Sequence, residues 1–307
     1  MIQPKIMIQK IDTFSGHRDC VYTLVNADAP NTFFSAGADG MVVKWDLSRP
    51  DFGNLIARVP ASVYAIAFEA TRGALWVGQN FEGIQVIDPT TKQLVASSKI
   101  TNASIFDIQF FDNQAFVALS DGVLIVMDIV HFAVRKHLKT SDHSARCVAI
   151  CPHLRQVAVG YSDHLIRIFD VDTLELRQVL RGHSNSVFTL QFSPDGRHLL
   201  SGGRDAHLMV WDTAEEYALR HDIPAHLFAI NHLTYSPGHR WFATCSMDKA
   251  IKIWNADTFK LIKVIDRARH AGHGTSVNKL LWVSFQAQLL SCSDDRLISV
   301  WSVQEGI

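Results

Sequence analysis

Four times along this 307-residue chain, a histidine, a serine or threonine, an aspartate and a tryptophan recur in one register. From His183 the steps are 18 to Ser201, 22 to Asp205 and 28 to Trp211. The same steps lead from His17 to Ser35, Asp39 and Trp45, from His226 to Thr244, Asp248 and Trp254, and from His273 to Ser291, Asp295 and Trp301. Serine, histidine and aspartate are the ingredients of a nucleophile with an oriented general base, so a hydrolase reading has to be weighed. An active site is normally built once. Four sets in one register, each closed by a tryptophan that no such triad requires, point instead to a structural unit that the chain repeats.

Aligning the rest of the chain on the tryptophan position extends the count. Ile87-Asp88, Met127-Asp128 and Phe169-Asp170 match Trp45-Asp46 and Trp211-Asp212. The anchors then fall at 45, 87, 127, 169, 211, 254 and 301, which makes seven units of about 42 residues. Within a unit, apolar bursts such as SVFTLQF (186 to 192), HLLSGG (198 to 203) and HLMVWD (207 to 212) are separated by turn residues such as Pro194-Asp195-Gly196. Bursts of this length and punctuation are strands, four to a unit. A lone four-stranded sheet has two faces to bury and two edges to protect, so copies are expected to stack face to face in a ring. Length alone would suggest about two domains, but a repeat architecture overrides that prior and predicts one domain over residues 1–307.

The Gly-His pairs at 16, 182 and 272, the Trp-Asp pairs at 45 and 211, and the 42-residue period resemble the WD40 family over almost the whole chain. The resemblance implies an all-β, seven-bladed propeller of four-stranded antiparallel blades. It also implies that each tetrad is structural: a histidine in the loop between strands d and a, an aspartate in the b–c turn, a serine or threonine on strand b and a tryptophan on strand c, hydrogen-bonded inside the blade. An unpaired polar group there would cost roughly 1 to 3 kcal/mol. Units 2, 3 and 4 depart from the pattern, and His143 of unit 4 sits two residues too close to its strand to match His183. Those three blades are expected to be held mainly by apolar packing. The last unit runs out after LISVWSV (297 to 303), while Lys5 to Phe14 is an extra apolar strand at the other end, so the N-terminal strand is expected to complete blade 7.

Composition excludes little but agrees. Lys plus Arg at 29 against Asp plus Glu at 30 gives no bulk attraction to nucleic acid or an anionic membrane. Cys20, Cys147, Cys151, Cys245 and Cys292 are scattered and odd in number, which reads as reduced thiols and neither a disulfide frame nor a zinc site. MIQPKIMIQK lacks the apolar core of a signal peptide, and no apolar run approaches a membrane span, so a soluble cytoplasmic protein is expected. No cofactor, metal site or catalytic residue is predicted.

Members of this family generally act as interaction platforms that grip partners on the face bearing the d–a loops and b–c turns. By the resemblance, contact points are the residue five beyond the tetrad histidine, the one two before that, and the one before the tetrad aspartate. The first set reads Tyr22, Tyr64, Phe106, Arg146, Phe188, Asn231 and Asn278, an aromatic collar with an arginine in it. The second set, Cys20, Ser62, Ser104, Ser144, Ser186, Ala229 and Ser276, is expected to leave space beside the rings. The third includes Ala38, Ser120, Ser162, Arg204, Met247 and Asp294. Such a rim suits a protein or peptide, with Arg146 and Arg204 placed for an acidic or phosphorylated group. The chain is therefore expected to be a non-enzymatic scaffold, monomeric on its own.

Two rival readings carry less. A propeller enzyme with substrate or metal in a central channel needs convergent acids on the inner strands, where only Asp107 stands. Nucleic-acid binding would use DRARHAGHG, 266 to 274, whose Arg267, Arg269 and His270 read more readily as a flexible solvated loop.

Overall fold

Strands b and c of each repeat are apolar on both faces, and the structure shows why. In the computed structural model, which describes residues 6–50 and 52–306, they are the middle strands of four-stranded antiparallel sheets, covered on both sides. Strand d is the outermost and most polar. Ala133–Lys139 and Gln93–Ser98 are exposed along most of their length; the first carries Arg135, Lys136 and Lys139, charges that discourage pairing with another chain, whereas the second exposes Leu94 and Val95. There are seven such sheets, the blades of a seven-bladed propeller.

The chain divides into two compact units. One spans Val59–Ile230 and carries blades 2 to 5, whose innermost strands are Val63–Glu69, Ile105–Phe111, Ala145–Cys151 and Val187–Phe192. Its cores lie between blades: Trp76, Ile84 and Ile108 pack with Val117 and Met127, and Ile168 and Leu180 pack with Leu199 and Trp211. The other unit comprises Met1–Arg58 and Asn231–Ile307, with blade 1, blade 7 and blade 6 from Asn231 onward. In blade 7 the N-terminal strand Ile6–Phe14 pairs antiparallel with Ile298–Glu305, Ile6 opposite Glu305 and Phe14 opposite Ile298. That pairing supplies strand d of the last blade; Lys5 lies outside the described residues.

Blade 4 has no tetrad, and beside its apolar core of Val148, Val157, Val159 and Phe169 it carries a polar network. Ser141, in the register of the tetrad histidine, donates to Asp163 at 2.6 Å, and Arg167 grips the same carboxylate at 2.8 and 3.1 Å. The Arg167 guanidinium lies 4.5 Å from the Tyr161 ring centre, and the Thr140 hydroxyl donates to that tyrosine's oxygen at 3.2 Å. A cation buried this deeply is tolerable because carboxylate and ring both face it.

The 266–274 loop contains one helical turn. Arg267–His270 forms a helical turn capped by Asp266, whose carboxylate accepts from the Arg269 backbone at 2.8 Å and its guanidinium at 2.8 Å. The charge of Arg269 is thus largely met within the turn.

Candidate functional site

The first residue set falls on a recurrent backbone irregularity. Strand a pairs regularly with strand b except at one bulge near its start. The register slips between Val21 and Thr23, Val63 and Ala65, Ile105 and Asp107, Ala145 and Cys147, Val187 and Thr189, and Val277 and Lys279. The residue left without an opposite number is in turn Tyr22, Tyr64, Phe106, Arg146, Phe188 and Asn278. A bulge redirects the side chain it carries, so each of these six blades presents one side chain at the start of its strand a.

In the unit of blades 2 to 5 these side chains form a stacked arc. Tyr64 and Phe106 have ring centres 5.7 Å apart, and the Arg146 guanidinium lies 4.0 Å from the Phe106 centre and 4.8 Å from that of Phe188. All four are half-buried. Burial draws Arg146 below the ordinary arginine value. The guanidinium lies over two rings and makes no ion pair among the described residues.

In the other unit the equivalent positions do different work. Asn231 donates to the Val277 carbonyl at 2.8 Å and to Ser276 at 3.0 Å. Asn278 donates to the Val21 carbonyl at 2.9 Å and to the Asp294 carboxylate at 2.8 Å. These amides tie neighbouring blades together. Of the remaining positions, Arg204 and Met247 are exposed, and Ala38 is half-buried.

The second residue set is tied to the turns by hydrogen bonds. Its carbonyls accept from the b–c turn of their own blade: Ala38 N to Cys20, Ser120 N to Ser104, Ser162 N to Ser144, Arg204 N to Ser186 and Asp294 N to Ser276. Its side chains reach the preceding blade, with Ser144 donating to the Ser120 carbonyl at 2.8 Å and Ser186 to the Ser162 carbonyl at 3.5 Å. Small polar residues recur here because the turn of the adjacent blade approaches closely.

The tetrads show the bonding of a hydrolase triad without its access. His183 Nδ1 lies 2.9 Å from Asp205, its Nε2 lies 2.8 Å from Ser201 Oγ, and Trp211 Nε1 donates to that oxygen at 2.8 Å. The His17, Ser35, Asp39, Trp45 set has the matching distances 3.0, 2.7 and 2.7 Å, and the His273, Ser291, Asp295, Trp301 set 2.9, 2.8 and 2.8 Å. In blade 6, Trp254 donates to Thr244 at 2.9 Å, and His226 is buried. Ser35, Ser201 and Ser291 are each 0% exposed, so no substrate carbonyl can approach their hydroxyls in this conformation. Burial draws His17 below the ordinary histidine value despite the opposing pull of Asp39. Burial pushes Asp205 and Asp295 up, but hydrogen bonds and charge from His183 and His273, with turn amides, outweigh it and leave both carboxylates below the ordinary range.

Asp121 and Asp163 occupy the tetrad aspartate register in blades 3 and 4 and accept from the turn amides of Val123 and Leu165, each at 3.2 Å. Blade 2 alone has Phe81 there, exposed and at φ 67°. Of the acids on the inner strands, Glu69 ends its strand and accepts from the Thr71 and Arg72 amides, and Asp107 is committed mainly to backbone: its carboxylate accepts from Ile108 N and Val148 N, both at 2.9 Å, and from Gln109 at 3.0 Å. Among the described residues, no group of three or more His, Cys, Asp or Glu is placed to hold a metal ion, and no helix is long and apolar enough to cross a membrane.

The family model of the WD domain, G-beta repeat (WD40), matches residues 8–46, 134–170, 174–212, 218–255 and 264–302. The chain belongs to the WD40 family. Blades 2 and 3 fall almost wholly outside these matches, where the tetrad is missing. Among similar curated proteins, actin-interacting protein 1 of Caenorhabditis elegans is 22% identical over 94% of this chain and 47% of its own length. The 66 kDa stress protein of Physarum polycephalum is 23% identical over 95% of this chain and 48% of its own. Nuclear distribution protein nudF 1 of Talaromyces marneffei is 26% identical over 43% of this chain and 29% of its own. The chain thus spans about half or less of the length of these relatives.

Proposed function

We propose that this WD40 propeller is a non-enzymatic scaffold that grips a protein or peptide partner at the d–a end of blades 2 to 5, through Tyr64, Phe106, Arg146 and Phe188. Membership of a family of interaction proteins supports the class, and the name of the C. elegans relative describes a protein that interacts with another. The observation that carries the site is the arginine held between two rings. Two rings hold the guanidinium in place and no ion pair occupies it among the described residues, so it is pre-organised for a carboxylate or phosphate from outside. Aromatic and arginine side chains are also the types that most often dominate binding energy at protein interfaces. The five free thiols, four of them buried, suit a reducing cytoplasmic setting.

The test is capture from an extract of the native host, followed by identification of what co-elutes. Changing Tyr64, Phe106 and Phe188 together to Ala is expected to abolish capture of the co-eluting protein while leaving thermal unfolding nearly unchanged. Capture that survives the triple change refutes this site.

A further inference from the structure

A second irregularity recurs on strand d through blades 2 to 5, and it exposes a gap in blade 2; the corresponding slips of blades 1 and 6 leave out Ile56 and Ile262. Strand d slips register against strand c between Val86 and Ile87, Val126 and Met127, Ile168 and Phe169, and Val210 and Trp211. The bulged residues are Val95, Arg135, Arg177 and Arg220. In blades 3, 4 and 5 that arginine folds back on the aspartate ending strand c. Arg135 Nε donates to Asp128 at 3.1 Å, Arg177 Nη2 to Asp170 at 2.8 Å and Arg220 Nε to Asp212 at 3.1 Å. In blade 2 the aspartate is present as Asp88 and the arginine is absent. Its place is taken by Val95, an apolar side chain that is 63% exposed.

Asp88 is nevertheless built as an anion. The backbone amides of Thr90 and Thr91 donate to its Oδ1 at 2.8 and 3.2 Å, and they hold its carboxyl below the ordinary range, so it is ionised at neutral pH. No ion pair joins it among the described residues. Asp88 lines a cleft of about 280 Å³ together with Val86, Val95, Ile129, Val130, Phe132 and the buried Trp76. Two other charges line it, Glu69 and Arg72, and these are paired with each other at 3.3 Å. The net charge of the lining is therefore negative, and the uncompensated acid sits beside an apolar wall.

We infer that the cleft between blades 2 and 3 receives an arginine side chain of a partner protein, its alkyl stem against Val95 and Phe132 and its guanidinium on Asp88. The partner would supply in trans the ion pair that the chain supplies to itself in blades 3, 4 and 5. An apolar wall ending in a carboxylate suits an arginine, which carries a hydrocarbon stem and a forked cation. This surface is separate from the stacked arc at the d–a end, so it stands or falls independently of the site proposed above.

The probe is N-acetyl-arginine amide, titrated over the millimolar range with N-acetyl-citrulline amide as the neutral isostere. The readout is the Thr90 and Thr91 amide resonances, whose N–H groups point at Asp88. Arginine is expected to shift both resonances saturably and to bind about fivefold more tightly than citrulline, as for a partly exposed ion pair worth up to about 1 kcal/mol. The substitution Val95→Arg recreates the pattern of blades 3 to 5 at an exposed position. It is expected to displace the two resonances without ligand and to reduce the arginine response to that of citrulline. Equal responses to the two probes, no response to either, or a full arginine response in Val95→Arg would overturn the inference.

Discussion

The bulged position of strand a serves two ends in one molecule. In blades 2 to 5 it carries Tyr64, Phe106, Arg146 and Phe188, whose rings and cation stack on one another and remain half-exposed. In blade 7 it carries Asn278, and the equivalent residue of blade 6 is Asn231; their amides are bonded to backbone carbonyls at 2.9 and 2.8 Å. The backbone device is the same, and the side chain decides whether it binds neighbours or is available to a partner. A ring buries area and needs no fixed hydrogen bond, whereas an amide close to an unpaired carbonyl satisfies it.

That comparison can be broken from the structural side first. His183→Ala removes the bridge between Asp205 and Ser201 and strands a buried carboxylate, so a loss of about 3 to 5 kcal/mol in unfolding free energy is expected by chemical denaturation. The matching change at His143, which is exposed and outside the register, should cost under about 0.5 kcal/mol. Equal costs would mean that the tetrad is not the mortar of its blade.

Blade 4 sharpens the point. Asp163→Asn keeps the shape of the side chain but removes the charge that Arg167 faces, and a loss of about 2 to 4 kcal/mol is expected by the same measurement. A loss under 1 kcal/mol would return the blade to purely apolar packing. For Asn278→Ala the expected cost is about 1 to 2 kcal/mol, because two acceptors lose their donor.

The smallest effect is on pH. His17 and His232 are lowered from the ordinary value of 6.5, chiefly by burial, so the unfolded chain binds their protons first. Stability should therefore begin to fall as pH drops below about 6.5. Asp205 and Asp295 lie below the ordinary 3.8, so their contribution is present above that value and is lost as pH falls through their folded values. Denaturation midpoints measured from pH 8 to pH 3 should decline in that order. A midpoint that rises between pH 6.5 and 5 would contradict it.

The period of about 42 residues made the blades legible, because strands b and c are two-faced apolar runs and the tryptophan recurs with them. The strand-a bulges were reachable only through the family resemblance, which named the positions without their geometry. Blade 4 was illegible for a physical reason. Ser141, Tyr161, Asp163 and Arg167 replace the tetrad with different side chains, and no spacing rule joins them. The serines at 104, 144 and 186 were legible as small residues, but their hydrogen bonds depend on how closely the next blade approaches. Asp88 was legible only as part of a repeat anchor, and Val95 carries no sequence signal; the strand-d bulges align the two with the arginine pairs of blades 3 to 5.

The most direct test compares the two uses of the bulge in one binding measurement. The partner recovered from host extract is titrated calorimetrically against the unaltered chain, Arg146→Gln and Asn278→Ala, at a temperature where all three are folded. Arg146→Gln should weaken binding at least tenfold, about 1.4 kcal/mol, while Asn278→Ala leaves the affinity unchanged. Unaltered affinity for Arg146→Gln, or a larger loss for Asn278→Ala, would contradict the assignment of the partner face to blades 2 to 5.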